Sequence, residues 1–120
     1  MDFHKFLQYF TQIYNKYKRS VEYHNDMHGS DVAQHVHLIL SNQGMKEKAH
    51  FNDLDTLSLL VSALCHDVQH DGFNNRYHVI TKSPICQMYG EEHVQENFHA
   101  ATSLKLFDNN DYDFLSGKFT

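Results

Sequence analysis

The stretch Ala63-Leu-Cys-His66-Asp67-Val-Gln-His70-Asp71-Gly72-Phe-Asn74-Asn75 decides how this chain is read. An apolar helical run climbs into it and stops at a histidine beside an aspartate. A second histidine follows four residues after His66, then a glycine, then two asparagines. Packing has no use for His and Asp side by side at the buried end of a core helix. Burying them unpaired would cost several kcal/mol each. A metal ion is the simplest partner for both. Neighbours in a helix point about 100° apart, so His66 and Asp67 reach one ion only where the helix ends, and Gly72 permits such an end.

Composition narrows the context. The 120 residues suit one small domain or a piece of a larger one. A hydrophobic fraction of 41%, with nine Phe and seven Tyr, can build a core. One proline and five glycines favour helices over a turn-rich β architecture. Ten basic against fifteen acidic residues give a net charge of −5, so no broad basic face exists for nucleic acid or anionic lipid. Leu57 to Cys65 is too short to span a bilayer, and no signal peptide opens the chain. Cys65 and Cys86 lie among apolar residues as small hydrophobes, which points to a reducing, intracellular compartment. Eleven histidines are the outlying number.

Outward from the deciding stretch, the chain reads as all-α, with no strand pattern and no repeat. Asp2 to Lys18 is an amphipathic helix capped by Asp2, with Phe3, Phe6, Leu7, Phe10, Ile13, Tyr14 and Tyr17 as its stripe. Arg19 to His24 is expected to be an extended linker. His24 to Asn42 is helical, with Val32, Val36, Ile39 and Leu40 inward and Gly44 near its end. Met45 to His50 reads as a polar connection. Asn52 caps a third helix whose Leu54, Leu57, Leu60, Val61 and Leu64 predict the most buried element. Asn74 to Thr81 is a short helix. Ser83-Pro84 opens another, which closes at Gly90. Glu91 to Phe107 forms a longer one with Val94, Phe98, Ala101, Leu104 and Phe107 as its core side. Asp108 to Asp111 is a turn, and Phe114, Leu115 and Phe119 begin a further element.

Tyr23-His24-Asn25-Asp26-Met27-His28 places two histidines four apart, on one face if the stretch is helical. They could be an exposed pair in a His-rich chain or two members of a site. Asp67 has two carboxylate oxygens and could bridge two ions. Asp26, Asp31 and Glu96 are candidate acceptors for the second nitrogen of a ligating ring. His35, two turns after His28, could face the same groove. His4, His37, His50, His78 and His93 read as surface residues.

Taken together, His24-Asn25-x-x-His28-x-x-Asp31-Val32, His66-Asp67-x-x-His70-x-Gly72-x-x-Asn75 and Glu96-Asn97-x-His99 resemble the catalytic domain of the class I cyclic nucleotide phosphodiesterases, within the HD superfamily. The resemblance runs from about Tyr23 to His99. It implies an all-α, multi-helix domain that hydrolyses 3′,5′-cyclic nucleotides, cyclic AMP or cyclic GMP, to 5′-monophosphates in signal transduction. By this resemblance His24 donates the proton to the leaving O3′. His28, His66 and Asp67 hold a tightly bound zinc, and Asp67 bridges to magnesium or manganese. His24 and Asp67 are then the substrate-facing pair. His70 and Glu96 surround the waters of the second ion, while Asn75 matches an asparagine of the signature that is not a ligand. Such chemistry is sound for a cyclic phosphodiester. Two ions about 3.5–4 Å apart can bind its oxygens and activate water, and a histidine suits protonation of an alkoxide near neutral pH.

The departures are specific. Phe98 stands where many family members carry histidine. The family's further aspartate ligand, its purine-gripping glutamine and its clamping aromatic cannot be placed before Thr120. Residues 1–120 are therefore expected to be the N-terminal part of a catalytic domain, incomplete at the C-terminus and inactive alone. Two other readings remain: an HD-type phosphohydrolase of another nucleotide, and a non-catalytic metal-binding or regulatory relic.

Overall fold

The computed structural model describes residues 1–116, and every described element is a helix or a turn. The helices are α1 (Phe3–Lys16), α2 (Asp26–Asn42), α3 (Met45–Lys48), α4 (Asp53–Cys65), α5 (Asn75–Thr81), α6 (Pro84–Tyr89) and α7 (Val94–Leu104). A 3₁₀ turn, Lys105–Asp108, follows α7. The all-α expectation holds. No described helix is long and apolar enough to cross a membrane.

Helix starts follow local chemistry closely. Asp2 Oδ1 accepts from the amides of His4 and Lys5, at 3.0 and 3.2 Å. Asn52 Oδ1 accepts from the Leu54 and Asp55 amides while the Asp55 carboxylate accepts from the Asn52 amide, a reciprocal cap. Ser83 caps α6 with Pro84 in its first turn, and Gly90 ends it at φ +87°. Asn25 caps α2 through the amides of Met27 and His28. Its amide group also donates to the carbonyls of Val21 and Glu22, at 3.1 and 3.2 Å.

Several expectations are corrected. Residues 19–24 turn and bend rather than extend. Arg19 reaches Asp26 at 3.3 Å and lies over the Tyr14 ring, which folds the segment back. His24 therefore precedes α2, and only His28 is helical. The polar connection contains the single turn α3, entered through Gly44 at φ +63°. The helix expected over 91–107 starts at Val94 and tightens to 3₁₀ at Lys105.

Burial departs most from hydrophobicity. In α4 only Ala63 and Cys65 are buried, and Leu54 and Leu59 stay exposed. Apolar composition marked α4 as most buried, but α2 covers one side of it and the other packing is confined to its C-terminal end. The deeper helix is α7, which buries Val94, Gln95, His99 and Ser103 and leaves Leu104 65% exposed. Its polar residues turn inward because partners await them there: the Val68 carbonyl for His99, and Asp71 with the Phe73 carbonyl for Gln95.

The core sits between α1, the end of α4 and residues 106–115. Tyr9, absent from the expected stripe, is 1% exposed, whereas Phe3, Leu7 and Tyr14 face outward. Its ring stacks on Phe107 at 4.8 Å and meets Phe114 edge-on at 5.2 Å. Its hydroxyl donates to the Ser103 carbonyl at 3.2 Å. Cys65 and Cys86 are free and buried. Phe114 is buried as well, while Phe119 lies outside the described residues.

Tyr17 ties this core to the deciding stretch. Its hydroxyl donates to the Leu64 carbonyl at 2.9 Å and accepts from the Asp67 amide at 3.4 Å. Gly29 of α2 makes room for it: a Cβ there would lie 2.8 Å from the Tyr17 hydroxyl. Alanine favours a helix over glycine by about 1 kcal/mol, but overpacking against a pinned ring costs about 1–3 kcal/mol. Gly29→Ala should therefore destabilise the protein, and by less in a Tyr17→Phe background. Urea denaturation midpoints of the two singles and the double test this. Equal costs in both backgrounds would separate Gly29 from Tyr17.

Candidate active site

The last turn of α4 closes with the Val68 amide on the Cys65 carbonyl, and the His70 amide on the Asp67 carbonyl follows. Gln69 adopts φ +63° and Gly72 φ +91°, so the chain turns sharply within seven residues of the end of α4 at Cys65. His66 and Asp67 sit on this reversal and face the start of α2. The geometry expected from the deciding stretch is thereby met: neighbouring residues converge because the helix has stopped.

Three ligand-type atoms form a small triangle. His66 Nε2 lies 3.2 Å from His28 Nε2 and 3.1 Å from Asp67 Oδ2, and His28 Nε2 lies 3.3 Å from the same oxygen. The Nδ1–H of His66 donates to the Ala63 carbonyl at 2.8 Å, which leaves Nε2 as the lone-pair nitrogen of the neutral ring. The His66 lone pair, His28 Nε2 and a carboxylate oxygen converging this closely call for a cation or a proton among them. Ligands about 2.0 Å from a tetrahedral ion are about 3.3 Å apart. His28, His66 and Asp67 thus fit a divalent cation by both spacing and donor type.

His24 approaches from the other side, its Nδ1 2.8 Å from Asp67 Oδ2. Its ring stacks on His70 at 4.0 Å, and His70 stacks in turn on His99 at 5.5 Å. His24, Asp67 and His70 form a second group of potential ligands. A cavity of about 280 Å³ opens here, lined by His24, Asp67, His70, Asn75, Glu96 and His99 among others.

The model of the 3′,5′-cyclic nucleotide phosphodiesterase family matches residues 23–118. The chain belongs to that family. It is 37% identical over 98 residues to a Caenorhabditis elegans protein named "Probable 3′,5′-cyclic-AMP phosphodiesterase", covering 82% of this chain and 14% of that protein. It is 32% identical to the 3′,5′-cyclic-AMP phosphodiesterase 4C of Rattus norvegicus, covering 95% of this chain and 21% of the relative. For the Mus musculus 4C the identity is 35%, covering 91% and 16%. The chain thus spans about a seventh to a fifth of the length of these relatives.

Within this phosphodiesterase family member, the residues singled out from sequence are gathered unevenly. His24, His28, His66, Asp67 and His70 gather in two groups that share Asp67. Glu96 lines the same cavity, but its carboxylate accepts from Asn75 Nδ2 at 2.9 Å rather than from a histidine. None of the expected carboxylates serves His66, whose acceptor is a backbone carbonyl. Asp26 pairs with Arg19, and the exposed Asp31 offers its carbonyl to His35. His35 is exposed and outside the site, as are His4, His37, His50 and His93.

His78 corrects the surface reading: it is 1% exposed. Nδ1 accepts from the Ser83 hydroxyl at 2.9 Å, and Nε2 lies 3.3 Å from Asp71 Oδ1. Gln95 Nε2 donates to Asp71 Oδ1 and to the Phe73 carbonyl. The Gln95 amide donates to Asn75 Oδ1, the other end of the side chain that holds Glu96. A buried polar chain thus runs from α5 to the cavity wall. His99, buried beneath Asp67, was likewise not assigned a role from sequence. Its only sequence signal was its place in the Glu96-Asn97-x-His99 motif.

Charge distribution divides the histidines. Burial would raise the Asp67 carboxyl, but hydrogen bonds and charge from His66 and His24 outweigh it and hold it well below the usual range. The bond to Asp67 raises His66, against the effect of burial. Burial lowers His70 and His99. Burial also works to raise Asp71, and the Phe73 amide with Gln95 and His78 more than offsets it. By linkage, the His66 contribution to stability is full below about 6.5 and disappears as pH rises through its higher folded value. The Asp67 contribution is present above its unfolded value and lost only as pH falls through its depressed folded one. In metal-free protein, histidine ring resonances followed by NMR should show His66 keeping its proton to higher pH than His70 and His99. The reverse order would overturn this account of the site's charge.

Proposed function

We propose that this protein hydrolyses a 3′,5′-cyclic nucleotide, cyclic AMP foremost, to the 5′-monophosphate, and that residues 1–120 form the N-terminal part of its catalytic domain. The observation that carries the proposal is the triangle of His28 Nε2, His66 Nε2 and Asp67 Oδ2, with edges of 3.1 to 3.3 Å. The names of the relatives favour cyclic AMP. An intracellular setting agrees with two unpaired, buried cysteines.

His28, His66 and Asp67 would hold zinc, and Asp67 would share a second ion, magnesium or manganese, on the side of His70. When bound, such ions offset phosphate charge and lower the pKa of solvent water. The chain's own residues do the rest. Asp67 accepts the Nδ1–H of His24 at 2.8 Å, which fixes the ring. Nε2 of His24 is then left to face substrate. As water forms the new P–O bond and the P–O3′ bond breaks, the Nε2 proton passes to O3′. A donor is needed because an alkoxide is a poor leaving group near neutral pH. Asn75 keeps Glu96 at the cavity wall, where its charge favours bound cations and ordered solvent.

Three outcomes are expected of the full-length protein. His66→Ala should lose the tightly bound ion, read as metal content of the purified variant; unchanged content would remove His66 from the ligand set. Metal binding should release protons below neutral pH, because His66 must give up its proton first. Calorimetry in buffers of different ionisation enthalpy measures that release, and metal affinity should fall as pH drops through the raised His66 value. His24→Ala should retain metal and lose about 10²–10⁴-fold in kcat. A substrate whose leaving group needs no proton should be affected much less. Equal losses on both substrates would sink the donor role.

A further inference from the structure

A second cavity, of about 420 Å³, opens beside the end of α1. It shares no lining residue with the cavity at Asp67. Phe98, Ala101 and Thr102 form one wall, a single face of α7, and Lys105 continues it at the same helical spacing. Lys16 comes from the last turn of α1, Gln69 from the turn after α4, and Tyr89 from the end of α6.

The polar side chains of this lining are unpaired among the described residues. Lys5, Lys46 and Lys48 each donate to an oxygen elsewhere in the chain, but Lys16 and Lys105 reach none. The hydroxyls of Thr11, Thr56 and Thr81 donate to the carbonyl four residues back, whereas that of Thr102 makes no such bond. The Gln69 amide group and the Tyr89 hydroxyl also lack partners, though both residues are half-buried. Hydrogen-bond donors from distant parts of the sequence thus meet at one concavity, and no carboxylate lines it.

Two ammonium groups without acids, in a chain of net charge −5, make this a local site for an anion. Lysine binds phosphate as a point charge, and two of them suit a dianion. The hydroxyl and amide donors suit its remaining oxygens. The rest of the lining is apolar, with the Phe98 and Tyr89 rings 5.9 Å apart at 45°. A bare phosphate would leave that wall in water, and the volume is that of a pocket for a small organic molecule.

We propose that this cavity is a second binding site, for a phosphate monoester with an aromatic body. Lys16 and Lys105 take the phosphate, Thr102 and Gln69 donate to its oxygens, and the ring lies against Phe98 and Tyr89. The inference does not depend on the proposed hydrolysis.

The test uses the full-length protein with phenyl phosphate as the probe. Calorimetry should show phenyl phosphate binding and inorganic phosphate binding much more weakly. Lys16→Gln/Lys105→Gln should lose about tenfold or more in affinity, because hydrogen bonds to charged groups are the strong ones. Lys16→Arg/Lys105→Arg should recover most of it. His66→Ala, which alters the metal corner, should bind the probe as the wild type does. A crystal structure with the probe should place its phosphate between Lys16 and Lys105, whatever the stability of the variants. The proposal is overturned if wild-type protein does not bind phenyl phosphate, or binds inorganic phosphate equally well. It is overturned too if Lys16→Gln/Lys105→Gln keeps the wild-type affinity, or if His66→Ala abolishes binding. A carboxylate of the same chain seated between the two lysines would also overturn it.

Discussion

One carboxylate oxygen, Oδ2 of Asp67, lies within 3.3 Å of nitrogens from three histidines. The three come from different places: His24 before α2, His28 in its first turn, and His66 at the end of α4. A buried carboxylate needs compensation, because its desolvation is expensive. His66 and His24 do most to hold Asp67 ionised, which ties the end of α4 to the segment before α2. The same arrangement brings Nε2 of His28 and Nε2 of His66 to 3.2 Å from one another beside that oxygen. The stability of this corner and its chemistry are thus one electrostatic problem.

The backbone that carries Asp67 is fixed by an aromatic residue far away in sequence. Tyr17 accepts from the Asp67 amide and donates to the Leu64 carbonyl, so it bridges the end of α4 to the aromatic core of α1. That core is built on Tyr9, Phe107 and Phe114. Its function is to make α1 a rigid support. The close approach of α2 at Gly29 completes the link. Ligand atoms held to a few tenths of an ångström need such support, since a loosely held site loses most of its affinity.

On the opposite wall, a buried polar chain does similar work. Ser83, His78, Asp71, Gln95, Asn75 and Glu96 join α6, α5, the loop after α4 and α7. Buried hydrogen-bond networks are directional, so they fix orientation where an apolar contact fixes only distance. This accounts for the inward turn of the polar face of α7. The apolar face of the same helix is left partly open, together with that of α4. A groove of about 420 Å³ runs between them, lined by Val61, Cys65, Ala100 and Leu104 among others.

Local rules determined the helix ends, and the spaced motifs marked the candidate site residues. Asp2, Asn52, Asn74, Ser83 and Gly90 mark helix ends because each meets orphan backbone groups with its own side chain or φ angle. His24, His28, His66, Asp67 and His70 were legible as candidates because their spacings resemble the motifs of a known family; without that resemblance His24 and His28 could as well have been an exposed pair. Facing and burial were not legible. Tyr9, Gln95 and His99 turn inward for partners contributed by residues 22 to 94 positions away in sequence, and His78 for Ser83 and Asp71 five and seven away. Periodicity counts only hydrophobicity, so it points polar residues outward and apolar ones inward. The tertiary structure reverses that wherever a buried partner satisfies the polar group, because a paired polar atom no longer bears the cost of lost water.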